Sequence, residues 1–152
     1  MKTDLILKTD AYKILLRSKL LYDSVAWIDA FKSNPNLKRD IIEWIQQDQL
    51  REKGVDSQDI VIGFYSSLTA QINPKKKFNS HYTLEDTGEF FKSMFVRVFY
   101  DAISINADAD KMSDQNWWRK EIIGLNDENL RKFVGTLRKS YIRYARKILF
   151  NN

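Results

Sequence analysis

Few residues in this chain stand where they could do chemistry, and their spacing limits what that chemistry would be. His81 is the only histidine. It has Ser80 as a neighbour but no second base or orienting carboxylate at a spacing that would build a nucleophile–base pair. Glu85, Asp86 and Glu89 bring carboxylates together, yet beside Thr87 on a short helix their expected work is capping and solvation, not hydrolysis. Asp108, Asp110 and Asp114 space their oxygens like the opening of a calcium loop. Met112 then occupies a ligand position, and the loop's glycine and closing glutamate are missing, so a polar connection without metal is expected. Cysteine is absent, which removes disulfides, thiolate catalysis and Cys-based zinc or iron–sulfur sites. No glycine-rich phosphate loop occurs. The expectation is a protein that is not an enzyme and has no cofactor.

What remains is charge and aromatic surface. The chain carries a net +5 at pH 7. From Asn126 onward seven basic residues, Arg131, Lys132, Arg138, Lys139, Arg143, Arg146 and Lys147, face only Asp127 and Glu128, so the whole excess lies there. Such a face meets nucleic-acid phosphates, an acidic partner or only water. No motif that reads base sequence is evident. Lys75, Lys76 and Lys77 sit beside Phe78, His81 and Tyr82. This mixture suits charge-and-stacking contact with a single strand, a solubilising loop, or a loop that orders against a neighbouring subunit. Trp117 and Trp118 are adjacent and cannot share one face of a regular element. One is an interface anchor, or it is a loop tryptophan covering the core edge.

The elements that must position these residues are mostly helical. At 152 residues, with 43% hydrophobic and 13% aromatic residues, the chain suits one domain (1–152) with a respectable core. Two prolines and five glycines leave long stretches unpunctuated. One helix is expected from Asp10 to about Phe31, with Ile14, Leu15, Leu21, Val25 and Ile28 inward. Asn34-Pro35 begins a second, whose stripe is Leu37, Ile41, Trp44, Ile45 and Gln49 and whose stop is Gly54. Residues 55–81 read as extended or loop, with a short strand at Ile60-Val-Ile62. Thr87-Gly88 lies in a short helix and suits a bend at a packed corner. Phe95-Val-Arg-Val-Phe99 and Ala102-Ile-Ser-Ile-Asn106 alternate with period two, as strands with one buried face do, and Tyr100-Asp101 joins them as a hairpin. A last helix starts near Asn126 and buries Leu130, Phe133, Val134, Leu137, Tyr141, Tyr144, Ala145 and Ile148. The fold class expected is α+β, mainly helical, with a small antiparallel sheet at about 95–107 and a long basic amphipathic C-terminal helix. The N-terminal apolar run is too short for a secretory signal and nothing approaches a membrane span, so a soluble protein is expected, with no membrane contact.

Three blocks carry a resemblance. Leu84, Thr87, Gly88, Phe90 and Ser93 precede the hairpin in a Leu-x-x-Thr-Gly-x-Phe-x-x-Ser pattern. Gln49-Leu-Arg-Glu-Lys-Gly-Val-Asp-Ser57 is followed by Gly63-Phe-Tyr-Ser66 and Thr69. Ile122-Ile-Gly-Leu125 precedes the last helix. Over roughly residues 46–125 the chain resembles the phage neck and tail-completion (virion morphogenesis, head–tail connector) proteins, as found in phages of Bacteroidota. It departs from them where their Asp-x-x-Gly is Asp56-Ser-Gln-Asp59, so a longer turn is expected there, and residues before 35 have no counterpart.

The resemblance implies a virion structural protein, made in the host bacterial cytoplasm, that forms a homo-oligomeric ring between portal and tail. It implies a shaping role for Thr87 and Gly88 and inter-subunit contact through loops 55–81 and 108–118. Tyr65, Phe78, Tyr82, Trp117 and Trp118 are then the candidate interface. Lys75, Lys76, Lys77, Arg138, Lys139, Arg143, Arg146 and Lys147 are the candidates to face DNA or an acidic partner. The alternative is a small basic accessory protein that binds nucleic acid without sequence preference.

Overall fold

A computed structural model describes residues 10–21, 23, 25–112 and 120–150. The architecture is α+β and mainly helical, with one two-stranded sheet and a long C-terminal helix. In order, the elements are α1 (Asp10–Ser18), a 3-10 turn (Lys19–Leu21), α2 (Val25–Lys32) and α3 (Leu37–Glu43), which continues as a π-helix (Trp44–Lys53). Then come α4 (Ser67–Ile72), α5 (Glu89–Ser93), β1 (Phe95–Val98), β2 (Ile103–Asn106), 3-10 turns at Ala109–Lys111 and Lys120–Ile123, and α6 (Asp127–Phe150). The fold gathers into two compact units. One comprises the described residues up to Leu37, Val98–Ile103 and Val134 to Phe150; the other comprises Lys38–Arg97 and the described part of Ser104–Phe133.

In the first unit, α1 and α2 replace the single helix expected over 10–31. The break has a local cause: the Asp23 carboxylate accepts from the Val25 N–H at 3.3 Å, and its carbonyl accepts from the Ala26 N–H. Asp23 thereby caps a new helix instead of continuing the old one. Ala26, Ile28, Ala30 and Phe31 are buried. Side-chain contacts tie this region to the second part of α6. Trp27 stacks on Tyr141 at 3.9 Å between ring centroids, and the Tyr141 hydroxyl donates to the Leu21 carbonyl at 2.8 Å. The Asn34 amide donates to Ser140 Oγ at 3.1 Å, and Arg17 donates to the Leu149 carbonyl at 3.2 Å. The Tyr144 hydroxyl adds a longer bond to Asp29, and desolvation, reinforced by that carboxylate, raises its pKa.

In the second unit the expected helix stops at Gly54 as the sequence indicated, with φ +62° and its N–H on the Gln49 carbonyl. It begins two residues late, because Asn34 Oδ1 accepts from Asn36 and Pro35 lies in a turn. From Trp44 its turns widen to the π form. The widening matches the spacing of Ile45 and Leu50, both fully buried five residues apart. Gly54 is needed twice over. A Cβ there would lie within 2.6 Å of the His81 side chain, whose ring is held by a 2.9 Å bond between its Nε2 and the Arg51 carbonyl. Gly54→Ala should therefore lose about 2–4 kcal/mol, from left-handed strain plus the clash. Gly88→Ala, with φ +79° but nothing within 4 Å of the added carbon, should lose only about 1–2 kcal/mol. Thermal melting of the two variants checks the ranking.

The hairpin forms where expected: the Phe99 N–H donates to the Ala102 carbonyl at 2.8 Å, leaving Tyr100-Asp101 as the connection. Val96 and Val98 turn inward while Phe95, Phe99 and Tyr100 are exposed, so the large aromatics sit on the open face. Residues 60–62 form an isolated bridge, Val55 to Val61, in place of a strand. The short helix α4 is an addition, capped by the Ser66 hydroxyl on the Thr69 N–H at 3.2 Å.

Candidate interaction surfaces

The resemblance blocks meet inside the second unit, and their polar residues bond one another. Gln49 is fully buried. Its Nε2 donates to the Gly124 carbonyl at 2.9 Å, while its Oε1 accepts from the Asn126 N–H at 2.9 Å and from Asn129 Nδ2 at 3.0 Å. Asn129 Nδ2 also reaches the Trp44 carbonyl at 3.1 Å, at the start of the π-helix. Asn126 caps α6, its Oδ1 accepting from the Asn129 N–H at 3.0 Å. Asp56-Ser-Gln-Asp59 forms a tight turn, the Asp59 N–H donating to the Asp56 carbonyl at 3.1 Å. Asp59 takes φ +58°, the conformation a glycine would supply, and its carboxylate accepts from Asn126 Nδ2 at 2.6 Å. Buried Asp56 closes the turn by accepting from the Gln58 and Ile60 N–H groups. Gly124 fits because a Cβ would come within 2.7 Å of Ser57.

Gly88 precedes α5 in the left-handed conformation and Thr87 Oγ1 accepts from Glu89. The helix thus starts after the Thr-Gly pair instead of running through it. This places the pair at a corner, where Phe90 and Phe91 turn into the core.

The segment from Ile60 to Phe78 in the same unit carries exposed apolar side chains. Ile60, Val61, Phe64, Leu68, Ile72 and Phe78 are all exposed. Leu68 and Ile72 share one face of α4 and are 63% and 75% exposed. Of the candidate interface residues, Phe78 is open at 67%, but Tyr65 is not. It is buried, packs edge-on against Tyr82 at 4.7 Å, and its hydroxyl sits 3.2 Å from Thr83 Oγ1. Tyr65 and Tyr82 hold the loop from within, so its exposed apolar side chains are Ile60, Val61, Phe64, Leu68, Ile72 and Phe78. The sequence signal for it was Leu68 and Ile72 four apart after a Ser66 cap. Trp117, Trp118 and Asp114 lie outside the described residues.

Beside this stretch is a polar cleft of about 470 Å³, lined by Arg51, Tyr65, Lys75, Lys76, His81 and Glu85 among others. Its charges are largely paired. Arg51 forks onto Glu85 through Nε at 2.6 Å and Nη2 at 2.5 Å, which lowers the Glu85 pKa and raises that of Arg51. Lys76 turns in toward Asp86 at 3.3 Å and over the Tyr65 ring. The lysine run therefore does not present three free cations; Lys75 and Lys77 are the exposed pair. His81 is committed to Arg51 and Gly54. Asp108 caps a 3-10 turn through the Asp110 N–H, and among the described residues no three histidine, aspartate or glutamate side chains gather as metal ligands.

On α6 the burial differs from the expected stripe. Leu130 and Val134 are exposed, whereas Asn129 and Ser140 are buried, because each polar side chain meets a partner distant in sequence. Near its start, Glu128 bonds Lys53 at 2.5 Å and Lys132 at 3.1 Å, and Lys132 also bonds Asp48 at 2.6 Å. Lys53 first, then Lys132, lowers the Glu128 pKa from 4.5 to about 2. A carboxylate depressed on folding contributes stability above its unfolded value and loses it as pH falls through the folded one. A carboxyl titration followed by NMR should thus give Glu128 a midpoint near 2, moving toward 4.5 as salt screens the pairs.

Farther along, Arg138, Lys139, Arg143, Arg146 and Lys147 are exposed, and none has an acidic partner among the described residues. None of the described helices is long and apolar enough to cross a membrane. Compared with known proteins, the chain matches no family model, no curated protein and no solved structure.

Proposed function

We propose that this chain is a non-enzymatic structural subunit of a phage virion, of the neck or tail-completion class, which assembles with its own copies into a ring between portal and tail. The observation that carries the reading is the run of exposed apolar residues from Ile60 to Phe78, on the segment where the resemblance implies inter-subunit contact. A monomer gains nothing by leaving Leu68 and Ile72 in water on a two-turn helix; a neighbouring copy that covers them does. The resemblance adds support because its residues do definite structural work: Gln49 bonds Gly124, Asp56 closes its turn, Ser66 caps α4, Gly88 opens α5, and Ser93 accepts from the Asp108 N–H. Head-to-tail contacts of one patch with a different patch close into a ring when the rotation per subunit closes.

Sedimentation of the purified chain tests this reading. A species of several copies that forms with rising concentration and survives high salt is expected, because apolar contacts are not screened. A monomer at every concentration would count against it.

A further inference from the structure

The C-terminal half of α6 carries a second surface feature, built from residues outside the 60–78 segment. Winding the helix at roughly 100° per residue puts Lys139, Arg143, Arg146 and Lys147 within an arc of roughly 100°, with Phe150 near its middle. Arg143, Arg146, Lys147 and Phe150 line an open groove of about 460 Å³, and Phe150 is 64% exposed. No acidic residue occurs after Glu128.

Helix stability does not account for this pattern. Lys139–Arg143 and Arg143–Lys147 are like charges four apart, and Arg143–Arg146 three apart, which weakens a helix. The helix dipole favours cations only in the last turn, and Lys139 and Arg143 lie before it. An exposed aromatic at the centre of the arc gains nothing from water.

We propose that this groove is a binding site for single-stranded nucleic acid: the four cations neutralise successive phosphates, and Phe150 stacks on a base. Cations four residues apart advance roughly 6 Å along the helix, so they follow an extended backbone one after another. Phe150 decides between strand types. A duplex keeps its bases stacked on each other, whereas a single strand offers a free π-face to an aromatic flanked by cations. An acidic peptide would use the cations alone.

The test is fluorescence anisotropy of the full chain with a labelled oligo-dT, a duplex of equal charge and poly-glutamate, across a salt series. Four phosphate contacts give a log–log salt slope of roughly −2.8, or about a 50-fold loss of affinity from roughly 50 to 200 mM salt. Arg143→Ala should flatten the slope by about 0.7. Phe150→Ala should weaken oligo-dT binding about 5- to 100-fold without changing the slope. Both sites are exposed, and unchanged circular dichroism verifies the fold of each variant. Equal or tighter binding to the duplex or to poly-glutamate overturns the proposal. So does a Phe150→Ala variant that binds like the parent, or no binding at low salt. Because Leu68 and Ile72 are untouched, loss of this site and loss of self-assembly are read separately.

Discussion

Replacing Gln49 by leucine should destabilise the protein by about 3–5 kcal/mol, with the urea midpoint falling by roughly 2 M. The size of the effect follows from what the side chain serves. One amide satisfies the Gly124 carbonyl and the first turn of α6 through the Asn126 N–H, and accepts from Asn129 Nδ2, all within 3.0 Å. Leucine is similar in volume and would fill the space, so the cost is electrostatic: buried polar groups lose their partners, at about 1–3 kcal/mol each. Gln46 provides the internal comparison. It lies three residues earlier on the same helix and donates one main-chain bond, to the Phe91 carbonyl at 2.8 Å. Gln46→Leu should therefore cost about 1 kcal/mol. Equal, small effects at both positions would mean that the Gln49 network does not hold the unit together.

The second large effect concerns assembly. Leu68→Asp combined with Ile72→Asp should abolish self-association while leaving the monomer intact. Both side chains are exposed on α4, so the subunit's own core does not depend on them. In an interface each buries about 1.5–3 kcal/mol of apolar surface, so losing both weakens association by about 100-fold or more. Sedimentation would show a monomer, and urea unfolding of that monomer would match the parent. A double variant that still assembles would locate the interface elsewhere and remove the main support for the ring.

The contrast between these two sites shows what the sequence could reveal. Features fixed by neighbours along the chain were legible. Gly54 follows a helix and stops it, Asn126 precedes acidic residues and caps one, and period-two alternation gives the hairpin around Tyr100-Asp101. Where the deciding partner is far away, periodicity misled. Leu130 and Val134 fit an apolar stripe better than Asn129 and Ser140 do. Yet the polar pair is buried, because Trp44, Gln49 and Asn34 wait for it across the fold. The π-helix was hidden for the same reason: its wide turns accompany the burial of Ile45 and Leu50, five apart, and the Trp44 carbonyl's bond to Asn129, far along the chain. Asp59 shows a third case. The residue there is not glycine, yet it takes the left-handed conformation, and its carboxylate accepts from Asn126.

The candidate surfaces divide similarly. The cationic face of α6 was readable from composition alone, since no acidic residue interrupts it after Glu128. Tyr65 was misplaced because an aromatic in a loop reads as surface until its hydroxyl is seen beside Thr83. Lys76 looked like one of three equal cations until Asp86 and the Tyr65 ring were seen to hold it.

The proposed role as a ring-forming component of the virion is tested most directly by the chain's copy number in purified particles, measured by quantitative mass spectrometry against the portal protein. A small, fixed ratio to the portal is the expected result. Absence from particles would contradict the structural role and leave the cationic groove of α6 as the feature that defines the protein.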